Sequence, residues 1–295
     1  MQHSSSPAPS TASALFCLTV SCPSRAGQVA AIVSFLDQRR GYIDEFTVFD
    51  EKSTQQFFVR CVFHTDPPQA LDIASLNRDF AGLAQRFSMR WAIHDMSRRP
   101  KVLILVSKLE HCLADLLFRA RMGELPMDIT AVVSNHDTLR GHAEAAEIAF
   151  HHLPVTDETR PQQETTILDL VRTTGSELVV LARYMQILRP ETSKALAGRA
   201  INIHHSFLPG FKGARPYHQA YERGVKVIGA TAHFVTDDLD EGPIITQSVE
   251  PVDHTQTPDQ LLATGRNLEC RALARAVRDY LERRVFISGH RTVVL

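Results

Sequence analysis

"KVLILVSKLEHCLADLLFRARMGELPMDITAVVS", residues 101–134, settles the fold class. It opens on the apolar run "KVLILV", continues through an amphipathic stretch, and closes on a second apolar run, "ITAVVS". Short apolar runs joined by helical stretches are the mark of parallel strands with crossover helices covering both faces of the sheet. The alternation goes on through "ELVVLA", "AINIHH" and "VIGATAHFV", with helical stretches at 109–122, 138–148 and 166–174. The pattern predicts an α/β unit with a Rossmann-like, mostly parallel sheet. "PIITQSVEPV" follows its predecessor after only a short loop, so a hairpin and a mixed sheet are expected at that edge. A long helix is expected to close the chain. Thr257 is its N-cap, Pro258 its first residue and Gln260 the capping-box partner, while Leu273, Val277 and Leu281 form an apolar stripe.

Working outward to the amino terminus, residues 14–97 carry shorter, regular segments. "ALFCLTVSC", "YIDEFTVFD", "QQFFVRCVFH" and "MRWAIHDM" read as strands; "RAGQVAAIVSFLDQRRG" and "IASLNRDFAGLAQRF" read as helices, the first stopped by Gly41 in a left-handed conformation. The order is βαββαβ, a ferredoxin-like plait. Residues 98–101 are expected to link it to the second domain, 102–295, and the Ser- and Pro-rich residues 1–13 to form a disordered tail.

With 295 residues, two domains are expected. The formal charge of −1 offers nothing to a nucleic acid or an anionic membrane, and no apolar run is long enough to span a bilayer. Five cysteines without CxxC spacing suggest neither a disulfide framework nor a zinc site, so a cytoplasmic protein is expected.

In open parallel sheets ligands sit beyond the carboxyl ends of strands, which directs attention to the loops after Val106, Ala182, His205 and Val235. At the end of "AINIHH", Asn202 and His204 lie two apart and project from one face. An Asn amide can donate to a developing oxyanion, and a His can protonate a leaving nitrogen near neutral pH. "TDDLDEG" offers Asp237, Asp238, Asp240 and Glu241 as a carboxylate partner. Together such groups can attack a carbonyl without a nucleophilic side chain. The histidine pair His204–His205 with His218 has neither an HxxxH helix pair nor a cysteine cluster beside it, so no metal is expected.

"NIHHSFLPGFKGARPYHQAYERGVKVIGATAHFVTDDLDEGPII" resembles the N-x-H…D signature of the folate-dependent formyltransferases. Within that group it is most similar to the formyltetrahydrofolate deformylases, in which a second His and the "GARPYHQAYERG" run follow the motif. The resemblance implies Asn202, His204 and Asp240 as the catalytic trio, with His205 and His233 supporting them from behind. It implies a pterin pocket made by Met185, Gln186, Ile187 and Leu188 with Thr236 and Asp237. Lys212 and Arg215 read as solvated loop charges, with contact to a folate glutamate tail as the alternative. The implied substrate is 10-formyltetrahydrofolate, with no prosthetic group, and the implied products are tetrahydrofolate and formate for one-carbon and purine metabolism.

Residues 14–97 resemble an ACT regulatory domain, which implies a small amino-acid effector and a homo-oligomer. Ser24 stands where the resemblance expects Asp, and Gly41-Tyr42-Ile43 where it expects Gly-Asn-Ile, which puts effector binding in doubt. Two other functions remain open: formyl transfer to a small amine, or an idle folate or amino-acid sensor. Transfer to a phosphorylated acceptor would need a glycine-rich turn after the first strand of the sheet, and "VSKLEHCL" has no glycine. Water is therefore the expected acceptor.

Overall fold

The computed structural model describes residues 14–65, 72–210 and 216–295. The expected tail at 1–13 and the charges Lys212 and Arg215 lie outside them. The chain divides after Arg98.

The first unit runs β1 (Leu15–Pro23), α1 (Gln28–Asp37), β2 (Gly41–Glu51), β3 (Gln56–Thr65), α2 (Ile73–Arg86) and β4 (Arg90–Asp95). Its antiparallel sheet has the order β2-β3-β1-β4. Asp72 caps α2 by accepting from the backbone N–H groups of Ala74 and Ser75, which have no partner inside the helix. Phe80, fully buried, meets Phe35 edge-on at 5.0 Å and Trp91 at 4.9 Å, which ties α2 to α1 and to the sheet. One expectation fails here. The left-handed residue after α1 is Arg40 (φ 55°), not Gly41, which already begins β2. Gly41 instead allows close packing: a Cβ there would come within 3.3 Å of the Leu36 carbonyl oxygen.

The second unit begins β5 (Lys101–Val106), α3 (His111–Arg121), β6 (Asp128–Ser134), α4 (Arg140–Ala145), β7 (Phe150–His152), α5 (Arg160–Thr174) and β8 (Leu178–Leu181). It continues α6 (Pro190–Ala195), β9 (Ala200–His204), α7 (Pro216–Glu222), β10 (Val227–Phe234), β11 (Ile244–Pro251), α8 (Pro258–Leu281) and the hairpin β12 (Val285–Ser288)–β13 (Arg291–Val294). Seven strands form one sheet in the order β11-β10-β9-β8-β5-β6-β7. In β5, period-two alternation divides the core: Val102, Ile104 and Val106 pack with Leu113 and Leu116 of α3 and with α8, whereas Leu103 and Leu105 pack with Ile167 and Val171 of α5. Among the described residues, no helix is long and apolar enough to cross a membrane.

The capping box of α8 is present, with Thr257 and Gln260 satisfying each other's backbone N–H groups. Leu268, Leu273, Val277 and Leu281 are at most 3% exposed, and burying each such side chain stabilises the unit by about 1.5–3 kcal/mol. The chain does not end on this helix, as expected, but on the β12–β13 hairpin.

The hairpin expected near residue 243 is β10–β11. The direction of β10 is the larger correction. It runs antiparallel to β9, pairing His233 with Asn202 and Phe234 with Ile201. The loop after Val235 therefore approaches from a reversed strand and is not a carboxyl-end loop of the parallel sheet.

Candidate active site

Directly paired residues of antiparallel strands share a face, so Asn202, His204, Thr231 and His233 all project from one side of β9 and β10. The His233 Nδ1–H donates to the Phe234 carbonyl oxygen at 2.9 Å. That bond assigns the tautomer: in the neutral ring Nε2 is an acceptor, and it receives the Asn202 amide N–H at 3.2 Å. His233 thereby decides which way the Asn202 amide is turned, and the second amide hydrogen remains to donate.

The loop 235–243 brings the carboxylate. Asp240 sits in the left-handed region (φ 57°), and the loop folds so closely on β10 that a Cβ at Gly242 would lie 1.7 Å from the Phe234 carbonyl oxygen. Only glycine fits there. Asp240 Oδ2 lies 3.2 Å from His204 Nδ1, and Oδ1 lies 3.7 Å from His233 Nε2. Burial opposes ionisation of Asp240, but the imidazole of His204 beside it, with His233 farther off, outweighs it and holds its carboxyl well below the usual range. His204 Nε2 is buried and has no hydrogen-bond partner among the described residues.

These groups open on a cavity of about 580 Å³. Met185, Gln186, Ile187 and Leu188 line one side of it, and Thr236 and Asp237 belong to the loop that carries Asp240. Met185 and Ile187 are more than half exposed, while Leu188 also packs into the core with Leu181 and Tyr184. Asp237 pairs with Lys194 at 3.5 Å. The 183–189 segment is fixed from below. The Met185 N–H donates to Ser107 Oγ, which itself donates to Asn135 Oδ1 at 2.7 Å. The buried Glu164 carboxylate accepts from the Arg189 N–H and the Thr192 hydroxyl.

His205 lies just past the end of β9, its ring 5.2 Å from that of His204 and 6.3 Å from that of Tyr217. Burial, with the nearby Arg183 charge, pushes its pKa down to about 4. It leads to a second polar cluster that sequence reasoning missed. Glu269 of α8, 2% exposed, accepts from His111 Nε2 at 2.8 Å and from the Tyr217 hydroxyl at 3.2 Å, with Arg183 Nε at 3.4 Å. Gly265 leaves the space Tyr217 occupies, since a Cβ there would lie 2.1 Å from its ring. A signal existed: Glu269 is four residues before Leu273, a carboxylate within the apolar stripe of α8.

Among the described residues, donor atoms of His111, Cys112 and Glu269 lie within 4.8 Å of one another, close enough for a metal. The chemistry is unfavourable. Arg183 already places a cation beside Glu269, and the hydrogen bond that Cys112 gives Cys270, with burial, raises the Cys112 thiol well above its ordinary value and opposes the thiolate a metal needs.

The sequence pattern of the formyl transferase family matches residues 100–277. Over 279 residues the chain is 50% identical to a formyltetrahydrofolate deformylase of Corynebacterium sp. (strain P-1), covering 94% of this chain and 97% of that one. The chain belongs to the formyltetrahydrofolate deformylase family. A crystal structure of a family member from Burkholderia mallei superposes with a TM-score of 0.91 at 63% identity, covering 96% of this chain and 99% of that one. A glycinamide ribonucleotide transformylase from Symbiobacterium toebii aligns with a TM-score of 0.63 at 32% identity, over 67% of this chain and 94% of its own. The catalytic unit of the deformylase family member is thus of formyltransferase type.

Proposed function

We propose that this chain hydrolyses 10-formyltetrahydrofolate to tetrahydrofolate and formate. The observation that carries the reading is His204, whose Nδ1 is held by Asp240 while its buried Nε2 has no partner among the described residues, on the wall of the cavity. Water oriented by Asp240 attacks the formyl carbon, and its proton passes to the Asp240–His204 pair. The Asn202 amide, turned by His233, and the His204 imidazolium stabilise the oxyanion. His204 Nε2 then protonates N10, the C–N bond breaks, and the formic acid ionises to formate. Met185, Ile187 and Leu188 pack on the pterin ring, with Gln186, Thr236 and Asp237 at its polar edge.

Water is the acceptor in this reading, and a phosphorylated amine is disfavoured because the turn after β5 offers no glycine cradle and carries Glu110 at its end. The test is formate release from 10-formyltetrahydrofolate with no amine present. Release at the full rate is expected; a requirement for an amine, or no release, overturns the reading.

The amino-terminal unit is read as an ACT domain that pairs copies of the chain, supported by its strand order β2-β3-β1-β4. The doubt raised by Ser24 is lessened by Asp50 of β2, whose Oδ1 accepts from the Ser24 hydroxyl at 2.5 Å and supplies a carboxylate for a ligand ammonium at that loop. Calorimetric titration with methionine and glycine tests the effector, and sedimentation tests the oligomer. Five free thiols fit a reducing cytoplasm.

A further inference from the structure

Arg183 follows β8 and holds a left-handed backbone conformation (φ 65°), unusual for a residue with a side chain. Its side chain is 8% exposed and lines the same cavity as Asn202, His204 and Asp240. A guanidinium carries five N–H donors in a planar fork and cannot lose its charge. Among the described residues its one ionic partner is Glu269, 3.4 Å from Nε, and Nε makes no hydrogen bond. Glu269 is shared: the oxygen nearest Arg183 accepts from His111 at 2.8 Å, and the other accepts from Tyr217 at 3.2 Å. The pair neutralises charge and leaves Nε of Arg183 without a hydrogen bond among the described residues. A buried guanidinium on a cavity wall, with one donor unbonded and a planar fork, suits a small planar anion.

The reaction supplies one. Formate is planar, with two equivalent oxygens that match a guanidinium fork, and it is born beside the Asp240 carboxylate, which repels it. We propose that Arg183 forms a carboxylate subsite that receives formate as it leaves the formyl carbon, with the Tyr217 and His205 side chains at its edge. The inference rests on the hydrolytic reading above. Its rival is a structural ion pair that fastens the segment after β8 to α8. The two differ in sign. If Arg183 serves an anion, Glu269 competes with that anion; if the pair is a fastener, losing either partner does the same damage.

The experiment uses the full chain without folate, with ¹³C-labelled sodium formate as the probe and line broadening as the readout, against sodium chloride at equal ionic strength. Formate is expected to bind in preference to chloride. Arg183→Gln should weaken binding at least tenfold, and Glu269→Gln should tighten it severalfold. No binding beyond that of chloride, or binding unchanged in Arg183→Gln, overturns the subsite. Should Arg183→Gln fail to fold, Glu269→Gln decides alone, and weaker or unchanged binding there is fatal. Formate release from 10-formyltetrahydrofolate is measured separately. If release fails while formate binding follows this pattern, the hydrolytic reading falls and the anion site stands; the converse result removes only the subsite.

Discussion

Two carboxylates of the catalytic unit, Glu269 buried and Asp240 partly buried, both meet histidine. Asp240 meets His204 and His233; Glu269 meets His111, with Tyr217 and Arg183 completing its surroundings. The difference lies in what the histidine has left over. His204 keeps a buried nitrogen with no partner among the described residues, on the wall of a cavity. Glu269 has both oxygens taken by protein donors and ties α3, α7 and α8 together. The same two side-chain types therefore make a reaction centre or a brace, according to whether one valence is left for a ligand.

The largest effect that can break this contrast is on rate. Asp240→Asn removes the charge that favours the imidazolium, and kcat for formate release should fall about 10²–10⁴-fold with the fold intact. Glu269→Ala should act chiefly on stability, since it leaves Arg183 and His111 without their buried partner. Urea unfolding should show a loss of about 3–5 kcal/mol. An unchanged unfolding midpoint would erase the contrast. Asn202→Ala removes one oxyanion donor and should cost about a hundredfold in kcat, roughly 3 kcal/mol, with KM little altered.

Smaller effects sharpen it. Ser107→Ala leaves the Met185 N–H unpaired, which costs about 1–2 kcal/mol and should raise KM up to about tenfold while kcat holds. The weakest signal is in pH. The folded pKa of Asp240 is depressed, so its ionic contribution to stability is complete above the unfolded value of about 4 and is lost as pH falls below that. The stability difference between wild type and Asp240→Asn should shrink as pH falls below about 4; a difference that persists unchanged to about pH 2 would contradict the assignment.

Much of this was legible in the sequence. Period-two runs separated by helical stretches gave the sheet, and the two-residue spacing put Asn202 and His204 on one face. Strand direction was not legible, because "VIGATAHFV" alternates identically in parallel and antiparallel pairing; only the pairing itself sets His233 opposite Asn202. The short helices α6 and α7, six and seven residues long, give too few turns for an apolar period to show. Glu269 was hidden because a charged residue in an amphipathic helix is ordinarily solvated, and its burial depends on Arg183, His111 and Tyr217 from distant parts of the chain.

The most direct measurement is a double-variant cycle on kcat for amine-free formate release, with His204→Ala, Asp240→Asn and the two combined. If imidazole and carboxylate act on one formyl carbon as a unit, the double variant loses no more than about tenfold beyond the worse single variant. Losses that multiply would mean that the two side chains act independently, and would contradict the convergent site.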